Sequence, residues 1–128
     1  RILVFREAGA AREVFLSFDT FGIAIGFNGH VDLGTGIETA LSQIVAEELD
    51  LPLDRVRMVL GDTTRTPNQG PTIASETIQI TAVPLRHAAA QIRRELALRG
   101  ARRLNAPATR VTLSDGSVRW KDTAASYE

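Results

Sequence analysis

The ten residues Val31-Asp32-Leu33-Gly34-Thr35-Gly36-Ile37-Glu38-Thr39-Ala40 constrain the fold of this chain more than any other stretch. An apolar extended segment meets a glycine-flanked threonine and runs directly into an amphipathic helix. Glycines at 34 and 36 carry no Cβ, so the backbone can turn sharply and present the first free amide N–H groups of the helix outward. Helix starts of this kind attract anions. A second small, polar loop, Gly70-Pro71-Thr72-Ile73-Ala74-Ser75, opens a second helix. Taken singly, each loop has a plainer explanation. The glycines permit a tight strand-to-helix connection, and Thr72 and Ser75 are common helix-capping residues. Taken together, two anion-ready loops point to one phosphate-bearing ligand.

The helix after the first loop rests on Ile37, Ala40, Leu41, Ile44, Val45 and Leu49, apolar at steps of three and four, which predicts a helix over 36–49 ended by Asp50-Leu51-Pro52. Ahead of it, Val14, Leu16 and Phe18 alternate before Asp19-Thr20-Phe21-Gly22, and Ile23, Ile25 and Phe27 alternate after it, the pattern of a hairpin. Asn28-Gly29 reads as a bend or bulge before Val31 and Leu33 carry the strand on. Residues 1–12 hold an apolar run, Ile2 to Phe5, but no period that assigns an element. Val56 to Leu60 reads as a short strand, and Gly61 to Ala74 as a long polar connection of the kind that often carries function. From Ser75 onward Ile78, Ala82, Leu85, Ala89, Ile92 and Leu96 predict a second helix ending near Gly100 or Leu104. Pro84 either kinks this helix or stands in its first turn. Asp115-Gly116 between Val111–Leu113 and Val118–Trp120 is a hairpin signal. In this order the elements predict one α+β domain, two layers deep, with two main helices on a mixed β-sheet and a βαβ crossover through residues 36–49.

At 128 residues the chain can bury roughly two-thirds of the surface it would expose unfolded. Its 44% hydrophobic and 23% charged content is that of a folded globular protein, and no apolar run approaches a membrane span. Several functions are excluded by what is missing. Three glycines at dinucleotide-binding spacing are absent, as is the lysine of a P-loop, which argues against NAD and ATP. Without cysteine there is no thiolate nucleophile and no ligand for an iron–sulfur cluster. His30 and His87 stand apart with no clustered carboxylates, so no metal site is assigned. His30 reads as a strand-end histidine bonding locally rather than a catalytic base. Asp32, Glu38, Glu47, Glu48, Asp62 and Glu76 offer no pair at catalytic separation, and Glu47 and Glu48 read as solvent-facing. Fifteen basic and fifteen acidic residues balance, so no nucleic-acid partner is expected. Arg86, Arg93, Arg94, Arg99, Arg102 and Arg103 make the second helix basic, but without interleaved aromatics they read as a solvated face with cations near a helix C-terminus.

The run Gly29-His30-Val31-Asp32-Leu33-Gly34-Thr35-Gly36, continued through Thr39 to Asp50, then Pro52 to Val56, Gly61-Asp62-Thr63, Thr66-Pro67 and the Gly70–Ser75 loop, resembles the molybdopterin-binding large subunit of the xanthine dehydrogenase and aldehyde oxidase family. Within it, the similarity is to the isoquinoline 1-oxidoreductase and nicotinate dehydrogenase branch. The resemblance implies a molybdenum–pterin cofactor, often extended as molybdopterin cytosine dinucleotide. It further implies oxidative hydroxylation of a small N-heterocycle or aldehyde with water-derived oxygen, and iron–sulfur clusters on a partner small subunit. Cofactor contacts are expected at Gly34, Thr35, Gly36, Gly70, Thr72, Ala74 and Ser75. Two departures stand out: Thr35 replaces the glutamine of many relatives, and Glu76 replaces an arginine found in some. Nothing matches the family's downstream Gly-x-Gly-Glu acid, so no catalytic residue is assigned. Beginning at Arg1 without methionine or signal peptide, residues 1–128 are expected to be an excised part of a larger cofactor-binding subunit. A bacterial cytoplasmic or periplasmic location is left open. The competing reading is a non-catalytic α+β domain that serves subunit or domain assembly.

Overall fold

Four consecutive residues, Phe15, Leu16, Ser17 and Phe18, are buried at the end of the second strand, so both faces of that strand are covered and it becomes the spine of the main sheet. The computed structural model describes all residues, 1–128. Strand β1 (Ile2–Ala8) pairs antiparallel with β2 (Ala11–Phe18), β2 pairs antiparallel with β3 (Ala24–Asn28), and β3 pairs parallel with β4 (Val56–Leu60). The sheet order is β1-β2-β3-β4. Strand β1 occupies the stretch where sequence pattern assigned nothing. It is an edge strand whose run Ile2-Leu3-Val4-Phe5 is apolar on both faces, with Leu3 and Phe5 exposed, and such a run carries no period of two.

Between β2 and β3, Asp19 Oδ1 accepts the amides of Phe21 at 2.8 Å and Ile23 at 2.9 Å, which closes the turn. Helix α1 (Ile37–Leu49) is the crossover to β4 and ends on Asp50, whose φ of 55° puts it in the left-handed region. Its buried face, Leu41, Val45 and Leu49, meets α2 (Ala82–Arg103). Leu85, Ala89 and Ile92 of α2 are fully buried in the same core as Leu16 and Phe18. A π-helical turn, Thr77–Thr81, leads into α2. Pro84 falls in the first turn of the α-helix proper, but the π turn Thr77–Thr81 runs into that helix without a break, so the proline stands just past a wide turn within one helical run.

The predicted C-terminal hairpin forms, β5 (Thr112–Ser114) with β6 (Ser117–Trp120). Its turn residues Asp115 and Gly116 have φ of 49° and 70°, as a two-residue loop of this type demands. The hairpin lies outside the main sheet. With β7 (Thr123–Ser126) it makes a separate three-stranded antiparallel sheet. This sheet docks through Val118, which seats against Gly100 of α2, and is anchored just past its last strand by Tyr127, whose ring meets Phe18 edge-on at 6.0 Å and whose hydroxyl donates to the Leu49 carbonyl at 3.1 Å.

One expectation is corrected. Val31 and Leu33 do not extend β3, which stops at Asn28. There the chain turns inward, because the Asn28 side chain takes the His30 amide at 3.0 Å and diverts it from a strand ladder.

Candidate functional site

The base of the site is a cluster of buried polar side chains where β3 ends. Asn28 is fully buried, and its amide nitrogen donates to both the carbonyl and the hydroxyl oxygen of Thr81 at 3.1 Å. His30 is also fully buried. Its Nδ1 lies 2.7 Å from Thr77 Oγ1 and its Nε2 3.4 Å from the Gln69 carbonyl. Gln69 in turn accepts the Gly29 amide at 2.8 Å and donates to the Thr81 carbonyl at 3.0 Å. No buried side-chain polar atom lacks a partner. The expectation that His30 bonds locally is therefore wrong: its ring partners lie 47 and 39 residues away. Local pattern could not show this, since the partners arrive only with the π turn and the long connection. Gly29 is required here, as a Cβ would overlap the Pro67 carbonyl.

Above this base the two glycine-containing loops meet. The Val31 amide donates to Thr72 Oγ1 at 2.9 Å, a direct bond from the first loop to the second. Thr72 is thus a bridge rather than a cap for its own helix. No side chain caps the π turn or α2. Thr35, Thr72, Ala74 and Ser75 line one open hollow of about 350 Å³, together with the apolar Leu33, Ile37, Ile73 and Ile78. Gly34 and Gly36 sit beside it in the exposed turn. Gly70 faces a different hollow of about 320 Å³ shared with Gly29 and Gly61.

The main-chain donors of the two loops differ. In the first loop Asp32 Oδ1 accepts the amides of Gly34, Thr35 and Gly36 at 2.9, 2.9 and 3.2 Å, and Oδ2 accepts that of Glu38 at 3.1 Å. These bonds, that of Glu38 foremost, hold the Asp32 carboxyl below its ordinary range. The start of α1 is therefore already matched to an anion, supplied by its own chain, and its amides do not stand free as the sequence had implied. Asp32 was legible only as one scattered acid; an acid two to six residues before consecutive amides of a glycine turn is the signal that identifies such a cap. In the second loop the amides of Thr72, Ile73, Ala74 and Ser75 make no hydrogen bond within the protein. Ala74 and Ser75 both hold positive φ, 52° and 57°, a conformation that non-glycine residues rarely adopt in succession.

Elsewhere the chemistry is sparse. His87 is exposed on α2, and no three His, Asp or Glu side chains gather as metal ligands. Several arginines of α2 have partners: Arg99 bonds Glu95 on its own helix at 2.6 Å, while Arg93 reaches the Glu48 carbonyl of α1 at 2.8 Å and Arg86 the Glu48 carboxylate at 4.0 Å. Glu48 is half-buried rather than solvent-facing. No helix is long and apolar enough to cross a membrane.

Residues 4–128 match the family of molybdopterin cofactor-binding domains. A subunit of the nicotinate dehydrogenase of Pseudomonas putida is 59% identical over 105 residues, which is 82% of this chain and 9% of that protein. Two solved structures share the fold: quinoline 2-oxidoreductase from Pseudomonas putida 86, with a TM-score of 0.76 at 24% identity over 88% of this chain and 14% of that one, and CO dehydrogenase from Oligotropha carboxidovorans, with a TM-score of 0.78 at 22% identity over 92% of this chain and 15% of that one. The chain belongs to the molybdopterin-binding subunits of the xanthine dehydrogenase family. It spans about a tenth of the length of the nicotinate dehydrogenase polypeptide it matches.

Proposed function

We propose that this domain holds part of a molybdenum–pterin cofactor in the hollow between the two loops, within a larger subunit that oxidatively hydroxylates an N-heterocycle or aldehyde. The observation that carries the reading is the convergence of the loops on one hollow, tied by the Val31–Thr72 hydrogen bond. The donor set suits a group rich in oxygen and nitrogen acceptors. The second loop offers unshared amides from 72 to 75, and the hydroxyls of Thr72 and Ser75 can donate beside them. Thr72 Oγ1 receives the Val31 amide and so keeps its own proton free to give. The first loop contributes Thr35 and the shape of the Gly34–Gly36 turn, with its amides committed to Asp32. An anionic tail such as the diphosphate of molybdopterin cytosine dinucleotide would therefore be read by the second loop, since Asp32 repels it at the first.

When bound, the cofactor supplies the two-electron chemistry, and the protein's part here is to bind and orient it. Iron–sulfur clusters on a partner small subunit would receive the electrons, consistent with the absence of cysteine from this chain. The similarity to a nicotinate dehydrogenase favours an N-heterocyclic substrate over an aldehyde.

Molybdenum and pterin analysis of the full-length protein tests the reading. One cofactor per large subunit is expected in a host that loads related enzymes, with the content reduced in Thr72→Ala and Ser75→Ala. Protein recovered without molybdenum or pterin under those conditions would reject it in favour of an assembly domain.

A further inference from the structure

We propose that His30 and Thr77 are a positioning pair that sets how the two loops face each other, a role that rests on the cofactor reading for its purpose but not for its geometry. His30 begins the first loop and Thr77 ends the second, and the ring and the hydroxyl meet at 2.7 Å with both residues buried. The Gln69 carbonyl can only accept, so His30 Nε2 carries a proton toward it, and in the neutral ring Nδ1 then accepts the Thr77 hydroxyl proton. One imidazole thereby joins β3, the polar connection and the π turn. Thr77 also lines the hollow, which places the pair directly beneath the residues proposed to touch the cofactor.

Two arguments separate this from ordinary core filling. Apolar residues of matched shape can replace a hydrogen-bonded pair at nearly no cost, so stability alone gives little reason for His30, Asn28, Thr77 and Thr81 to be buried together. A hydrogen bond fixes direction as well as distance, and Thr77 stands two residues past the left-handed Ala74-Ser75 turn, which the Glu76 amide closes on the Ile73 carbonyl at 3.1 Å, so holding Thr77 fixes where that turn enters the helix. The Val31–Thr72 bond then stands above the pair as a second tie between the loops.

The test uses the full-length protein with Thr77→Val, which keeps the shape and removes the hydroxyl, and Thr77→Ser, which restores it. Hydrogen exchange is read in peptides covering 28–38 and 68–82. Exchange is expected to rise about fivefold in both peptides for Thr77→Val, roughly what the loss of one buried hydrogen bond produces, and to return to the wild-type rate for Thr77→Ser. A rise in one peptide only, an equal rise throughout α1 and α2, or no rescue by serine would overturn the pairing. Cofactor content of the large subunit is measured on the same samples. Reduced content for valine and normal content for serine is expected; normal content in a valine variant with loosened loops would overturn the step from loop geometry to cofactor. Wild-type protein that holds no cofactor would defeat the cofactor reading while the exchange data still decide the pair.

Discussion

Asp32 shows how one side chain can fill the place that a sequence pattern reserves for a ligand. Its carboxylate accepts four amides around the start of α1, a charge-assisted arrangement that favours the ionised form. A carboxyl held below its ordinary value lends stability above that value and loses it as pH falls. The contribution of Asp32 is thus fully present above pH 3.8 and disappears below it. Asp32→Asn is expected to be less stable than wild type at neutral pH in urea unfolding, with the difference shrinking as the pH drops below 3.8. Tyr127 is the opposite case. Burial, with the Asp50 carboxylate adding to it, pushes the phenol above its ordinary value of 10.0, so the neutral form is favoured and its stabilisation is lost as pH rises past 10.0. Replacing it with phenylalanine should cost about 1 kcal/mol below that pH, through the lost bond to Leu49, and should flatten the alkaline decline of the urea midpoint.

Among the elements, α2 carries the most, because it faces both sheets. Leu85 and Ile92 seal it to the main sheet and Gly100 admits Val118 of the second. A glycine inside a helix costs about 1 kcal/mol relative to alanine, so Gly100→Ala would stabilise an isolated helix. Here the added Cβ overlaps the Val118 side chain, and overpacking of about 1–3 kcal/mol outweighs the propensity gain. Gly100→Ala is therefore expected to lower the melting temperature, and combining it with Val118→Ala should show a favourable coupling in a double-mutant cycle. The π turn and Pro84 belong to the same element. A proline in the first turn and a wide turn before it let the chain enter α2 while Thr77 and Thr81 reach back to the end of β3.

For the whole molecule, the hollow between the loops is also where apolar side chains stand in solvent: Leu33 is 75% and Ile73 57% exposed. Serine at either position should change the stability of the 128-residue domain by no more than about 0.5 kcal/mol, as at other exposed sites. In the full-length protein the same substitutions are expected to lower cofactor content, measured as molybdenum per large subunit. The helix 36–49, the strand 56–60, both hairpins and the crossover between them were legible because each is a local period or a two-residue turn, and the backbone obeys local sterics wherever nothing stronger competes. Family membership was legible for a related reason: ordered blocks from Gly29 to Ser75 are a linear property of the chain. What only the tertiary structure decided was who takes each hydrogen bond. Asp32 claims the amides that the glycine turn exposes, Thr72 serves the neighbouring loop, and His30 turns inward to partners dozens of residues away. Donors and acceptors pair by proximity in space, and proximity between distant segments is set by how the helices bury their apolar faces on the sheet.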